Sequence, residues 1–419
     1  MPVHPQKIGT WTRLVQIGLL LFLGTCTSGW AQLPEATEAP LPERERMEEA
    51  IAEPVPPLPE APLKLTGYVD FTYIYNFGPG QATAPLDFSA DTVPKGDFNL
   101  SALWLRLEKP LVRESRDVHA GFQFGVMLGE DATWYAASPD SLPNGPDSNA
   151  LYVGEAFGKL WVPQAQMELW LGKFQGVLGY EGVWRPDNPH ITFGIADAFT
   201  PLDNIGFLCI FSPDTFFDLA LGLANTSGEA NDINGETFGD EYSVITYLVL
   251  ESPGENARLQ PGIFVDPWGQ HAGNARVSIN QDFYYTWNVL GEWSPLVADG
   301  KWTLAFDVVG GSGTGDQSVS TDPEPPTTFS SVGLYSMWGV TDSIFLNGRA
   351  EYLHTSNNAF TLSTRTSGGD YWDYTLTLGI KITEDLVWRG EGRYQWGAEM
   401  LTPTSSALWT LATEIYYRF

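Results

Sequence analysis

The chain has 419 residues, with 22 Lys and Arg against 51 Asp and Glu and a formal net charge of −29. That sign excludes a nucleic-acid binder, which needs a basic face to displace counterions. Two cysteines exclude a disulfide scaffold, and 13% aromatic residues exclude a disordered acidic chain. The mixture of 43 Gly, many aromatics and only 17% charge suits a wall of strands with a different solvent on each face.

Residues 1–31 read as a secretory signal. Lys7 and Arg13 form the basic region, Leu14 to Leu23 the apolar core, and Gly29-Trp30-Ala31 a small-x-small cleavage site before Gln32. The alternatives are a transmembrane helix, for which the apolar run is short of ~20 residues, and a lipoprotein signal at Cys26, where Thr25 is a poor neighbour. Cleavage after Ala31 leaves Cys209 as a lone cysteine, so no internal disulfide is expected. Residues 32–63 form a tether rich in proline and glutamate, a composition that blocks both helix and sheet. It reads as a periplasmic linker, or alternatively as a small docking element. From 64 to 419 no comparable linker occurs, and these residues are assigned to one barrel domain.

Period-two alternation predicts sixteen strands in this domain. They are 65–77, 97–109, 117–128, 150–162, 167–178, 204–212, 215–225, 242–251, 258–266, 282–293, 301–310, 329–340, 344–354, 371–382, 386–396 and 408–419. The sixth, eighth and ninth are the weakest, which leaves fourteen or eighteen strands open. Links after even strands are short, about 2 to 7 residues, and links after odd strands are long, about 11 to 25, by this reading. A sandwich has no reason to keep that rhythm, whereas an up-and-down barrel with short periplasmic turns and long outer loops does.

The two faces of each strand differ in kind. One carries Leu, Val, Ile, Gly and Ala, with aromatics toward the ends, and the other carries charged and hydroxyl residues. Sixteen strands enclose a lumen too wide to be filled as a dry core. The consistent fold class is therefore all-β, a transmembrane antiparallel barrel with its apolar face toward lipid and its polar face toward water. Ile415, Tyr417 and the terminal Phe419 alternate on the last strand. That pattern is similar to the assembly signal of bacterial outer-membrane barrels, which implies recognition by the barrel assembly machinery.

Further motifs carry a family resemblance. Gly67-Tyr68-Val69 with Tyr75-Asn76, Glu155-Ala156-Phe157, and Leu171-Gly172-Lys173-Phe174 followed by Gly179-Tyr180-Glu181 resemble the OmpL-like β-barrel porins of Gram-negative bacteria. Gln175-Gly176-Val177 replaces the Thr-Pro pair of that family's pattern. A more distant likeness to carbohydrate-selective porins is also present. The resemblance implies an outer-membrane location, a homotrimer and a water-filled channel for small hydrophilic solutes.

In porins of this size the third long loop folds inward and narrows the pore. By that resemblance the constriction falls on the link 179–203, with Tyr180, Glu181, Trp184, Arg185, Asp187, His190 and Asp197. The alternative for this link is a surface loop over a subunit interface. Facing it, the lumen wall is expected to carry Asp70, Arg106, Glu155, Lys159, Lys173, Arg349, Glu351, Lys381, Arg389, Glu391, Arg393 and Glu414. A field between loop acids and wall bases would orient water in the pore. In the alternative, Glu351 and Glu391 pair with the arginines.

The outer links 129–149 and 226–241 carry acids and no base. Such mouths concentrate cations, which predicts a mild cation preference and weak divalent binding that bridges lipopolysaccharide. Asn231, Asp232, Asn234 and Glu236 lack the glycine spacing of a calcium loop. No cofactor is expected. No hydrolase elbow or zinc-protease motif occurs, so an enzyme is not expected. A surface-interaction barrel with a closed lumen remains the alternative from another class.

Overall fold

A computed structural model describes residues 62–77, 96, 98–114, 116–136, 151–201, 203–224, 242–266, 281–298, 300–315, 327–356, 369–397 and 406–419. The signal segment, nearly all of the tether and most of the long links, including the acidic link 226–241, lie outside the described residues. Sixteen strands are present. They are β1 (Lys64–Asn76), β2 (Phe98–Lys109), β3 (His119–Leu128), β4 (Leu151–Val162), β5 (Met167–Gln175), β6 (Asp203–Phe211), β7 (Phe217–Ala224) and β8 (Ser243–Glu251). They continue with β9 (Ala257–Asp266), β10 (Gln281–Trp293), β11 (Trp302–Gly315), β12 (Thr327–Gly339), β13 (Ile344–Thr355), β14 (Gly369–Lys381), β15 (Leu386–Gly397) and β16 (Ala407–Arg418). One short helix, α1 (Glu130–Ala136), follows β3.

Each strand pairs antiparallel with its sequence neighbours, and β1 closes the barrel against β16. Closure satisfies every ladder group without an open edge, which is what a lipid environment demands. No described helix is long and apolar enough to cross a membrane, so crossing falls to the strands. The seam runs in register from Tyr68↔Arg418 to Asn76↔Thr410. Beyond it, Gly67 and Phe419 exchange two backbone hydrogen bonds of 3.0 Å. A Cβ on Gly67 would lie 2.8 Å from the Phe419 ring and 2.2 Å from the Trp104 carbonyl oxygen. The terminal aromatic therefore lies against a position that only glycine fits.

Burial follows the predicted alternation. On β14, Tyr371, Asp373, Thr375, Thr377 and Gly379 are buried while Trp372, Tyr374, Leu376 and Leu378 are exposed. Exposed Trp293, Trp302, Trp338, Tyr417 and Phe419 ring the short-link end, and Phe98, Trp372, Trp396 and Trp409 the other. This is the aromatic banding of a membrane barrel. Ile415, Tyr417 and Phe419 share the outward face.

Four expectations need correction. β5 ends at Gln175 rather than 178, because Leu178 leaves the ladder to pack inside the barrel. β11 runs to Gly315 rather than 310. Its glycines from Gly311 on read as loop, but the Phe329 ring lies against Gly311 as the Trp287 ring lies against Gly310, which completes the strand. The rhythm of link lengths is looser than expected, since 110–118 after β2 matches 398–406 after β15. Finally, the inner face is not uniformly polar. Leu208, Ile245, Phe264, Val309, Phe329, Leu353 and Leu408 are buried there in one apolar cluster.

The inverted faces have a depth-dependent consequence. Leu376, mid-strand on β14, and Leu65, at the start of β1, both point outward. Leu376→Arg is expected to lower the unfolding free energy in lipid vesicles by about 2–4 kcal/mol, and Leu65→Arg by about 0–1 kcal/mol. Equal costs at the two positions would contradict a membrane-facing exterior.

Candidate functional site

The link between β5 and β6, residues 176–202, is the longest in the barrel, and it turns into the lumen. It forms two one-turn 3-10 helices, Arg185–Asp187 and Asp197–Phe199, and otherwise has no regular structure. Its buried backbone cannot reach bulk water, so each polar group needs a partner. Side chains of the barrel wall supply them.

Carboxylates take the amides. Glu391 accepts from the backbone N–H of Ile191 (2.6 Å) and Thr192 (3.1 Å) and from the Thr192 hydroxyl (2.6 Å). Glu351 accepts from Ile195 (3.0 Å) and Ala196 (3.3 Å). Asp307 accepts from Tyr180 (3.0 Å), and the loop's own Glu181 from Gly194 (2.6 Å). A Cβ at Gly194 would lie 2.6 Å from a Glu351 carboxylate oxygen, so the close approach requires glycine.

Arginines take the carbonyls. Arg349 donates to Thr192 O (2.8 Å) and Phe193 O (3.3 Å), and Arg389 to Asn188 O (2.6 Å) and Arg185 O (3.0 Å). Asn347 reaches Pro189 O at 2.7 Å, and Arg418 reaches Pro186 O at 2.5 Å.

Ion pairs complete the clamp. Arg349 meets Glu181 at 2.8 Å, Glu351 at 3.1 Å and Asp373 at 3.7 Å. Arg393 pairs with Asp373, and Arg389 with Glu414. From the loop, Arg185 reaches Asp131 of α1 at 2.8 Å and Asp70 of β1 at 3.6 Å, and lies over the Phe193 ring. Trp184 packs against Trp104, the rings tilted and their centroids 3.6 Å apart. Tyr180 packs against Tyr335, the rings tilted by 43°. Asp187 is exposed and pairs with Arg418 at 2.9 Å, while Asp197 is buried.

His190 is buried, with Nδ1 2.8 Å from Thr377 Oγ1. Thr377 donates its hydroxyl to Glu391, so the ring nitrogen carries the proton toward Thr377. Burial holds the His190 pKa well below its ordinary value, and Arg349, Arg389 and Arg393 push the same way. A hydrogen bond with the Gly348 backbone acts in the opposite sense but is outweighed.

The wall bases thus differ from a row open to the pore. Arg349, Arg389 and Arg393 are buried under the loop, with Arg393 fully shielded. Glu351 pairs with Arg349, whereas Glu391 binds backbone amides instead of an arginine. Asp131, expected in an acidic outer mouth, turns inward to Arg185, where it shares the loop's guanidinium with Asp70.

The remaining wall charges pair on other strands. Arg106 forms a two-pronged pair with Glu155, both bonds 2.9 Å. Lys159 meets Glu108 at 3.0 Å, and Lys173 meets Asp203 at 2.8 Å. Gly172, at φ 130°, breaks the alternation just before Lys173. Lys381 is exposed at the end of β14.

Sequence reasoning missed Asp307, Asp373, Thr192, Thr377, Asn188 and Asn347 as partners in this network. Strand parity alone places Asp307, Asp373, Thr377 and Asn347 inward. Among the described residues no group of three or more His, Cys, Asp or Glu is placed to hold a metal ion.

Beneath the loop, toward the short-link end, lies a cavity of about 520 Å³. Tyr180, Glu181 and Asn188 border it from the loop, and Arg258, Gln260, Leu290, Glu292 and Met337 from the wall.

Solved structures with the same architecture include OmpT, an outer membrane protein of Vibrio cholerae in a trimer form. It is 10% identical, with a TM-score of 0.56 over 85% of this chain and 99% of that one. The outer membrane channel DcaP of Acinetobacter baumannii is 10% identical, with a TM-score of 0.56 over 85% and 97%. Pseudomonas putida OprB is 11% identical, with a TM-score of 0.56 over 85% and 94%. At this identity the likeness concerns the fold. No curated protein sequence matches the chain. The family model described as "putative beta-barrel porin-2, OmpL-like" matches residues 62–419. The chain therefore belongs to the OmpL-like β-barrel porins, outer-membrane channel proteins and not enzymes.

Proposed function

We propose that the loop 176–202 is the constriction of a passive, homotrimeric outer-membrane pore for small hydrophilic solutes, with its short links and its tether on the periplasmic side. The carrying observation is the clamp between Glu181 and Arg349, backed by Glu351 and Asp373, which fixes an inward loop to the wall. Around this loop the buried acids Asp70, Asp131, Glu181, Asp307, Glu351, Asp373, Glu391 and Glu414 outnumber Arg185, Arg349, Arg389 and Arg393. With the acidic outer links, that excess supports a mild cation preference at low salt and weak divalent binding at the mouth, with lipopolysaccharide as the outer neighbour. The outward-facing C-terminal aromatics support recognition by the assembly machinery. A second reading, a surface-interaction barrel with a closed lumen, draws support from the apolar cluster that Phe174, Leu178, Ile195 and Phe199 form with the inner wall. Ohmic steps in planar bilayers decide for the pore, and a membrane sealed at every protein concentration decides for the closed barrel.

The clamp is open to mutation. Arg349→Ala leaves Glu181 and Glu351 buried without their cation, which costs about 3–5 kcal/mol of docking. Single-channel conductance is expected to rise and become noisier while the barrel stays folded. Unchanged conductance would remove the loop from the constriction.

His190 makes the docking of the same loop depend on pH. The docked His190 binds fewer protons than the free loop, so its own contribution to docking is fully present above pH ~7 and is lost as pH falls below ~6.5. Between pH ~6.5 and 5 the wild-type conductance is expected to rise relative to that of His190→Gln. An unaltered profile in the variant would refute the role of His190.

A further inference from the structure

Most wall charges in the lumen are closed into pairs of 2.8–3.1 Å, as in Arg106–Glu155, Lys173–Asp203 and Arg349–Glu351. Arg258 and Glu292 differ. They stand directly opposite each other on β9 and β10. Both are exposed, and both border the cavity beneath the loop. Among the described residues neither forms an ion pair. Arg258 donates to Gln260 Oε1 at 2.7 Å, and Glu292 accepts from the Tyr180 hydroxyl at 3.3 Å.

We propose that this cavity binds zwitterionic solutes with an apolar side chain, the class of the free aliphatic amino acids. The solute carboxylate lies against the Arg258 guanidinium, and its ammonium against the Glu292 carboxylate. Its side chain lies on Leu178, Leu290 and Met337.

Three features support the assignment. Directly opposed residues in an antiparallel ladder hold their Cβ atoms about 4.5–5.5 Å apart. The two heads therefore present opposite charges side by side, the arrangement that an α-amino acid carries in reverse. A simple ion is attracted by one head and repelled by the other, whereas a zwitterion satisfies both. The cavity, about 520 Å³, is within the usual range for small-molecule sites and far larger than a single ion needs.

Tyr180 positions the acid. Its hydroxyl reaches Glu292, its backbone N–H is fixed by Asp307, and its ring packs on Tyr335. Burial and the neighbouring Glu292 raise its pKa, so the phenol stays a donor. The site rests on the reading of loop 176–202 as docked in the lumen, because Leu178 and Tyr180 belong to that loop.

Equilibrium dialysis of the full-length protein in detergent tests binding separately from conduction. The probes are radiolabelled leucine and two half-ligands, isovalerate and isoamylamine, which keep the side chain and one charge each. Leucine is expected to saturate one site and each half-ligand to bind at least tenfold more weakly, the effect of losing one charge-assisted contact. Arg258→Gln and Glu292→Gln should each weaken leucine about tenfold. Heat-modified gel mobility checks that these variants remain folded. Equal binding of leucine and either half-ligand, no saturable leucine binding, or folded variants with wild-type affinity would overturn the site. Ohmic steps in KCl with no leucine binding would overturn the site and leave the pore standing. Leucine binding by a protein that never conducts would overturn the pore and leave the site.

Discussion

An irregular stretch of backbone buried in a barrel must find a partner for every N–H and C=O. That requirement organises this molecule. Residues 176–201 lie in the lumen with no strand and only two one-turn 3-10 helices to satisfy them. The wall therefore offers carboxylates to amides and guanidinium groups to carbonyls. Glu351 and Glu391 hold amides of the segment 191–196, Arg349 holds carbonyls within it, and Arg389 holds carbonyls that precede it. The charges on these side chains are then balanced among themselves through Glu181, Asp373 and Glu414. Removing one member leaves another charge stranded in a dry site, which makes the network stiff as a unit.

The same requirement redistributes function around the barrel. Arginines that would line an open pore on β13 and β15 lie under the loop. Charge that remains reachable by water lies elsewhere, on Arg106 and Glu108 of β2, Arg258 of β9 and Glu292 of β10. Selectivity is then expected from the wall away from the clamp and from the acidic excess behind the loop. The apolar cluster between Ile195, Phe199 and the inner wall gives the loop a dry anchor and narrows the space left for solute.

The barrel was largely legible in the sequence because lipid and water impose a period of two on every strand. Trp372 to Ile380 alternates in the structure as it does in the sequence. The weak β6, β8 and β9 are all present as strands, although on β6 Leu208, Cys209 and Ile210 are buried in succession. Departures occurred where glycine carries the strand. Gly311 offers no side chain to read, and the aromatic ring lying against it comes from β12. The inward placement of most lumen charges followed from parity. The partnerships did not, because the loop has no period and its contacts reach across the barrel. Glu391 looked like an arginine partner on its own strand, yet it binds amides 200 positions away. Asp131 looked like part of an acidic mouth, yet its partner Arg185 lies on a different loop.

Hydrogen exchange of the folded protein, resolved to single amides, tests the clamp most directly. The amides of Ile191, Thr192, Gly194, Ile195 and Ala196, all donating to carboxylates, should exchange as slowly as those of β13 and β14. Glu351→Gln and Glu391→Gln should each speed exchange across that segment and leave the strands unchanged. Exchange of these amides at the rate of a solvated loop in the wild-type protein would contradict a loop fastened inside the barrel.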